Sequence, residues 1–554
     1  MNKFKKTSVQ MILLVTLALF VMLSLQASFA STVDVNNSTN GGGIAQGLVT
    51  ANDGDTLELA QGNYSGTNNT GVGIGKNVTI RGIGPTNTVI IDAQGLGRIF
   101  SVNSNSTVTF INITFINGYS NGDAGAIYNV GYVTIINCTF ENNHANNTGG
   151  AIIGNVNIIN TNFINNSAAI GGALHVSTNS NVYIVDSTFI DNFASVHGGA
   201  ISTNSNNFTL NNCTFINNTA FTNDTGSHNG GAINMNGNNC IIANSTFIGN
   251  GAKNGGGIGI GYGASGDIID NCTFVDNYAY EEGGAIRTIG SNDTTINDCD
   301  FINNTAPNGG GITNNGNISR IDGNNFTNNT VGDFVNKGNA NVGNNNTIGN
   351  VTNDGDLSVS GENNSIGDLV NNGNADLGNN NAVDNLINDG NTTVGNNNEL
   401  GNVTNDGDLS VSGDNNVLGN VTNNGDLSIT GENNTINNLV DNGNTTIGGR
   451  IYYQSNLVLS ISVSKDKVTI VVVATNKRTG EKLIGEAINF YANNELIGSA
   501  VTDENGIAIF TYTAPNKGTY NIRADLEQYN ITNATGNFTI EGSNNTANAT
   551  VNET

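Results

Sequence analysis

A phenylalanine returns about every 25 residues through the middle of this chain, and it never returns alone. Phe115, Phe140, Phe163, Phe189, Phe215, Phe247, Phe274, Phe301 and Phe326 are spaced by 25, 23, 26, 26, 32, 27, 27 and 25 residues. Five positions before the phenylalanine stand Phe110, Ile135, Ile158, Ile184, Leu210, Ile242, Ile269 and Ile296. Seven before stand Val108, Val133, Val156, Val182, Phe208 and Cys240. Such alternation describes a short strand with one buried face. The apolar phase slips by one residue at Asn137, Asn160, Asp186, Asn212, Asn244, Asn271 and Asp298, so a bend lies there. After the phenylalanine an asparagine recurs three residues on and an alanine five on. A Gly-Gly-Ala-Ile phrase then opens a further apolar segment, as at Gly149 and Gly283.

These marks read as three short strands and their bends per repeat, which is one coil of a right-handed parallel β-helix. Equivalent side chains stack at the strand spacing of about 4.8 Å. On this reading Phe140, Phe163, Phe189, Phe215, Phe247, Phe274 and Phe301 fill the interior, and Asn137, Asn212 and Asn271 form amide ladders at the bend. A single coil cannot bury its own open edges, which explains why the chain restates it. Helical repeats are a poor alternative because Asn, Gly and Thr dominate and no 3.6-residue stripe runs through the repeats.

Near residue 330 the beat shortens. Gly338, Gly355, Gly373, Gly390, Gly407, Gly425 and Gly443 are 17 or 18 residues apart, in phrases such as NVTNDGDLSVSG, and imply shorter coils of the same solenoid. From about 455 basic residues return, and segments such as KVTIVVVAT and AINFYA alternate between turn signals, giving about seven strands of a β-sandwich. The expected organisation is a leader over 1–30, long coils over 31–330, short coils over 331–450, a sandwich over 451–541 and a polar disordered tail over 542–554. The leader reading rests on Lys3, Lys5 and Lys6 ahead of the apolar run MILLVTLALFVMLSL and the small-residue site Ser28-Phe29-Ala30. The mature chain is therefore expected outside the cell or on its surface, with no membrane insertion after cleavage. A formal net charge of −26 sets aside nucleic acid and anionic membranes as partners.

The paired FxxN and GGAI phrases resemble the repeat of polymorphic outer-membrane adhesins. GDTLELAQGNYSG and NVTIRGIGPTNTVIIDAQG resemble the first coils of pectin-lyase-like β-helices, and TDENGIAIFTYTAPNKGTYNI resembles a bacterial Ig-like repeat. The order as a whole is similar to the adhesin-like surface proteins of methanogenic archaea. The resemblance implies an all-β chain, a β-helix followed by an Ig-like β-sandwich, acting as a surface adhesin on glycans or surface proteins of other cells.

Because β-helices also carry polysaccharide lyases and hydrolases, acid–base candidates need naming. Glu281 and Glu282 precede the Gly283–Gly284 pair and Arg287 follows it, the strongest grouping of carboxylate and base in the repeats. A solvated rim on one coil is the plainer reading. His197 and His228 both lie just before Gly-Gly on neighbouring coils and are weighed as a shared metal site, whereas His144 and His175 read as surface residues. Asp354, Asp356, Asp406 and Asp408, in the NDGD phrases, are candidate calcium ligands, with solvated turns as the alternative. No other cofactor is expected. Of the five cysteines, Cys138, Cys213, Cys272 and Cys299 take an inward slot otherwise held by Ser or Thr, and read as free thiols. Only Cys272 and Cys299, one coil apart, could form a disulfide, and stacked side chains point in parallel rather than toward each other. The expected function is adhesion without catalysis, ahead of a carbohydrate-active enzyme and of a structural envelope spacer.

Overall fold

The structure is a computed structural model. It describes residues 31–550 except 38–41, 86, 178–181, 222–225, 227, 328, 330–332, 345, 449, 453–454, 465–466, 477–479, 527–531 and 541–545. The leader expected over 1–30 lies outside the described residues. The chain divides into two compact units, 1–367 and 368–554.

The first unit is a parallel β-helix. Thr32–Val35 pairs in parallel with Thr56–Leu59, which pairs with Val78–Gly82, and that strand with Thr107–Ile111. The phenylalanine register is the one expected: Phe140 pairs with Phe115 and Phe163, and the ladder runs on through Phe189, Phe215, Phe247, Phe274, Phe301 and Phe326. All of these rings are buried. From Phe140 to Phe301, neighbouring centroids lie 4.8–5.0 Å apart with planes within 8° of parallel. The backbone spacing thus sets the ring spacing.

Seven of the long coils, from the one holding Tyr119–Ser120 to the one holding Tyr278–Glu282, have four short strands, one more than the sequence reading assigns; the coils over 56–102 have three. The second coil of the ladder shows the order: Tyr132–Ile136, Thr139–Glu141, His144–Ala145 and Ile152–Ile153. The additional strand centres on the alanine five after the phenylalanine. Ala145, Ala168, Ala194, Ala220, Ala252 and Ala279 are all buried at this corner. The Gly-Gly corner is tight. Gly149 takes the left-handed φ of 62°, and a Cβ on Gly150 would lie 2.0 Å from the carbonyl oxygen of Gly172 in the next coil.

The short coils arise by fusion of strands. Thr347–Asn353 pairs at Thr347 with Asn325, on the phenylalanine ladder, and at Val351–Asn353 with Phe334–Asn336, on the Gly-Gly-Ala-Ile ladder. One seven-residue strand therefore replaces two, and the alanine corner disappears. That loss accounts for the shorter beat.

One helix was not legible in the sequence. Gly43–Thr50 buries Ile44 and Leu48. The Ile44 N–H donates to Asn69 Oδ1 at 3.0 Å, and Lys76 Nζ donates to the Leu48 and Ala51 carbonyls at 2.8 and 2.5 Å. With two glycines in eight residues its propensity is poor, so tertiary burial and the lysine at its C-terminus hold it.

The second unit begins with short coils, Asn374–Leu377 to Asn444–Ile447, and continues into two antiparallel sheets. One sheet holds Ser455–Ser464, Lys467–Asn476 and Ile507–Thr513. The other holds Glu495–Val501, Ala487–Ala492, Gly518–Leu526, Thr532–Ile540 and Thr546–Thr550. Val468, Ile470 and Val472 share one core with Phe490, Ile522 and Phe538, so the sheets form a sandwich of eight strands. Within the expected tail only 546–550 are described, and they form the final strand. Residues 546–550 pair with Thr535–Thr539, because the open edge of Thr532–Ile540 offers unpaired backbone groups to any extended segment beside it.

Candidate functional site

The positions just before Gly-Gly form a column up the first unit, with His197, Asn229, Asn254, Glu282 and Asn308 bridged in sequence. Glu282 and Arg287 come together here, as their flanking of one glycine pair implies. Arg287 Nε donates to Glu282 Oε2 at 2.9 Å. The carboxylate also accepts Lys337 Nζ at 2.8 Å on Oε1 and Asn315 Nδ2 at 2.7 Å on Oε2. Arg287 Nη1 reaches two coils back to Asn229 Oδ1 at 3.3 Å. Burial acts against ionisation of Glu282, yet the lysine and arginine outweigh it and hold its pKa below the usual carboxylate value. A carboxylate bound this way is neither a proton donor near neutral pH nor an uncommitted base. Glu281 turns the other way. It is exposed, and its Oε1 lies 3.4 Å from Lys253 Nζ. The grouping is a clamp across successive coils, and the two glutamates do not face one gap.

An aromatic cluster lies beside this clamp. Tyr278 and Tyr280 flank the inward Ala279 on the strand Tyr278–Glu282. The Tyr280 ring lies 4.6 Å from Phe221 at a tilt of 31°, and 5.8 Å from Tyr278, edge to face. Tyr280 is 54% exposed. Tyr278 is seated by a glycine: a Cβ on Gly251 would lie 2.0 Å from its ring carbon Cζ. The alternation of NYAYEE was the available signal, since a two-residue period puts both tyrosines on the outer face. The contact with Phe221, 59 positions away, carries no sequence signal.

The histidines follow their readings only in part. His228 is buried, with Nδ1 3.3 Å from the Val196 carbonyl and its ring edge against Phe221. His197 Nδ1 accepts the Asn229 N–H at 3.3 Å, and burial first, then the nearby His228, lowers its pKa. The pair thus does converge, but no group of three or more His, Cys, Asp or Glu side chains able to hold a metal ion occurs among the described residues. His144 bonds Ser167 Oγ at 2.8 Å on the outer side. His175, read as a surface residue, is half-buried, and burial lowers its pKa. Asp354, Asp356, Asp406 and Asp408 are exposed on the short coils, and Asp406 Oδ1 accepts the Asn424 amide at 2.6 Å.

Asn137, Asn212 and Asn271 occupy the bend with left-handed φ of 51–53°, which asparagine tolerates better than most residues. Their amides do form a ladder: Asn137 donates to Asn112 at 3.2 Å, Asn212 to Asp186 at 2.6 Å and Asn271 to Asn244 at 2.7 Å. A second ladder, three residues after the phenylalanine, is the buried one, through Asn143, Asn166, Asn192, Asn218, Asn250, Asn277 and Asn304. It passes through Asn329 to Asp333, which accepts its last amide at 3.0 Å. All five cysteines are free and buried. Burial pushes the thiols of Cys138, Cys213 and Cys240 up to about 12.

Comparison with known proteins adds the following. Residues 137–154 and 186–204 match the Chlamydia polymorphic membrane protein repeat, in the segments that join the phenylalanine to Gly-Gly-Ala-Ile. No curated protein matches the chain. Solved structures similar to it include pectate lyase Pel9A, 14% identical over 52% of this chain and 78% of that one, with a TM-score of 0.29. The tailspike protein of E. coli bacteriophage HK620, solved with a pentasaccharide, is 11% identical over 85% of each chain, with a TM-score of 0.29. The Azotobacter vinelandii mannuronan C-5 epimerase AlgE6 A-module is 13% identical over 70% of this chain and 90% of that one, at 0.27. With TM-scores below 0.5, none of these likenesses carries a binding or catalytic property to this chain.

Proposed function

We propose that this protein is a non-enzymatic adhesin of the cell surface or extracellular space, similar to the adhesin-like surface proteins of methanogenic archaea, and that it contacts glycans or surface proteins of other cells. The C-terminal sandwich is read as an Ig-like module. One observation carries the non-catalytic reading: Glu282, the best-placed acid, is consumed by Arg287, Lys337 and Asn315 in a clamp. The match of two coils to the polymorphic membrane protein repeat supports a surface role. Successive coils also present their own outer segments, so weak contacts add along the stack.

The test is direct. The full chain is incubated with pectate, polygalacturonate and alginate, with and without added calcium, and offered to cells in a binding assay. Cell binding with no change in polymer length or uronate composition is expected. Cleavage or epimerisation that vanishes in Glu282→Gln would replace this reading with an enzyme.

A further inference from the structure

Three aromatic side chains meet on the outer face of one stretch of the first unit, in a chain with no tryptophan and only 6% aromatic residues. Phe221 comes from one coil, Tyr278 and Tyr280 from a coil two steps on. Their rings are 4.6 and 5.8 Å from Tyr280. Core formation does not account for Tyr280, because it is 54% exposed while the alanine beside it does the packing. Gly251 leaves the room in which the Tyr278 ring lies. The charges at the cluster are mutually satisfied. Lys253 Nζ lies 3.4 Å from Glu281 and donates to the Gly226 carbonyl at 3.0 Å, and Asn308 Nδ2 donates to the Glu281 carbonyl at 3.4 Å.

We propose that Phe221, Tyr278 and Tyr280 form a platform for a neutral saccharide, whose C–H face stacks on Tyr280 while its hydroxyl groups bond to Glu281 and Asn308. This rests on the adhesin reading and names the ligand class at one place on it. The charge pattern selects the occupant. An anionic glycan would meet a chain of net charge −26 with the nearby cations Lys253, Arg287 and Lys337 already paired. A cationic partner would have to displace the Lys253 pair from Glu281. A neutral sugar demands neither, because a pyranose ring is apolar on its faces and polar on its rim, and the platform is apolar at the rings and polar at their border.

The experiment uses the full chain with maltohexaose, cellohexaose and mannohexaose, and polygalacturonate as the anionic comparison. Binding is read by calorimetry and by tyrosine fluorescence, which no tryptophan masks. At least one neutral hexaose is expected to bind. Tyr280→Ala should weaken that binding tenfold or more, Tyr280→Phe should retain it within about threefold, and Tyr262→Ala, at another exposed tyrosine, should leave it unchanged. An unchanged melting temperature for Tyr280→Ala shows that the coil is intact. Binding indifferent to Tyr280→Ala, or confined to polygalacturonate, or no binding of any hexaose, overturns the platform. Cell binding by the wild-type chain reads the adhesin proposal separately: cells bound without any hexaose bound sinks the platform alone, and hexaose bound through Tyr280 without cell binding sinks adhesion alone.

Discussion

Asn218 Nδ2 donates to Asn250 Oδ1 across 2.9 Å, from one coil to the next, inside the protein. The same nitrogen donates to the Phe189 carbonyl of the preceding coil at 2.9 Å, and the Asn218 N–H donates to the same Asn250 oxygen at 2.9 Å. Asn192 repeats the pattern toward Asn218. Each amide thus satisfies backbone groups above and below it that water cannot reach.

The ladder should therefore resist isosteric change. Asn218→Leu takes the Asn218 donor from the Phe189 carbonyl and the Asn218 Oδ1 acceptor from the Asn192 N–H, while Asn192 Nδ2 keeps only the Phe163 carbonyl, and each buried group so deprived is worth about 1–3 kcal/mol. A loss of about 3 kcal/mol or more in denaturant unfolding is expected. A loss below about 1 kcal/mol would show that the ladder is dispensable.

For the ring stack, Phe215→Ala should cost about 3–5 kcal/mol, as for other buried phenylalanine truncations. Leu96→Ala serves as the control because Leu96 is 85% exposed, and it should stay within about 0.5 kcal/mol. Equal shifts in melting temperature for the two variants would contradict the coil register.

The cysteines should be silent until the coils open. With thiols pushed up to about 12 by burial, Cys138, Cys213 and Cys240 carry almost no thiolate at pH 8. The Cys272 N–H contacts Cys299 Sγ at 3.4 Å as a thiol neighbour, with no disulfide between them. A thiol reagent should label none of the five in the native chain and all five after denaturation without reductant.

Asp267 predicts an unusual pH dependence. It is buried in a core slot, its Oδ1 accepts the Cys240 N–H at 2.9 Å, and its Oδ2 has no hydrogen-bond partner among the described residues. Burial raises its pKa to about 7. Because the folded value lies above the unfolded one, its contribution is full below about pH 4 and is lost as pH rises to about 7, on the order of 4 kcal/mol in all. Asp267→Asn keeps the Cys240 contact and removes the titration. The variant should gain stability over wild type as pH rises from 4 to 8, read as the difference between their urea midpoints. A difference that stays constant with pH would place the carboxyl elsewhere in its titration.

What the residues announced on their own is the coil. Spacing alone placed Phe115 to Phe326 in one register, because parallel coils repeat the same positions and a two-residue period separates inside from outside. The inward cysteines and the bend asparagines were legible for the same reason. The fourth strand escaped notice because two residues, such as His144–Ala145, are too few to display a period. His228, weighed with His197 as a metal pair, is buried, and nothing in its spacing signals that burial. The calcium candidates of the short coils were found from composition, and their side chains do not gather three at a time among the described residues. Contacts between outer side chains belong to the tertiary structure alone. Glu282 finds Lys337 at 55 positions, and Tyr280 finds Phe221 at 59, because coils of unequal loop length bring distant residues to strand spacing. Periodicity records which way a side chain points, whereas only the stacked coils decide what it meets.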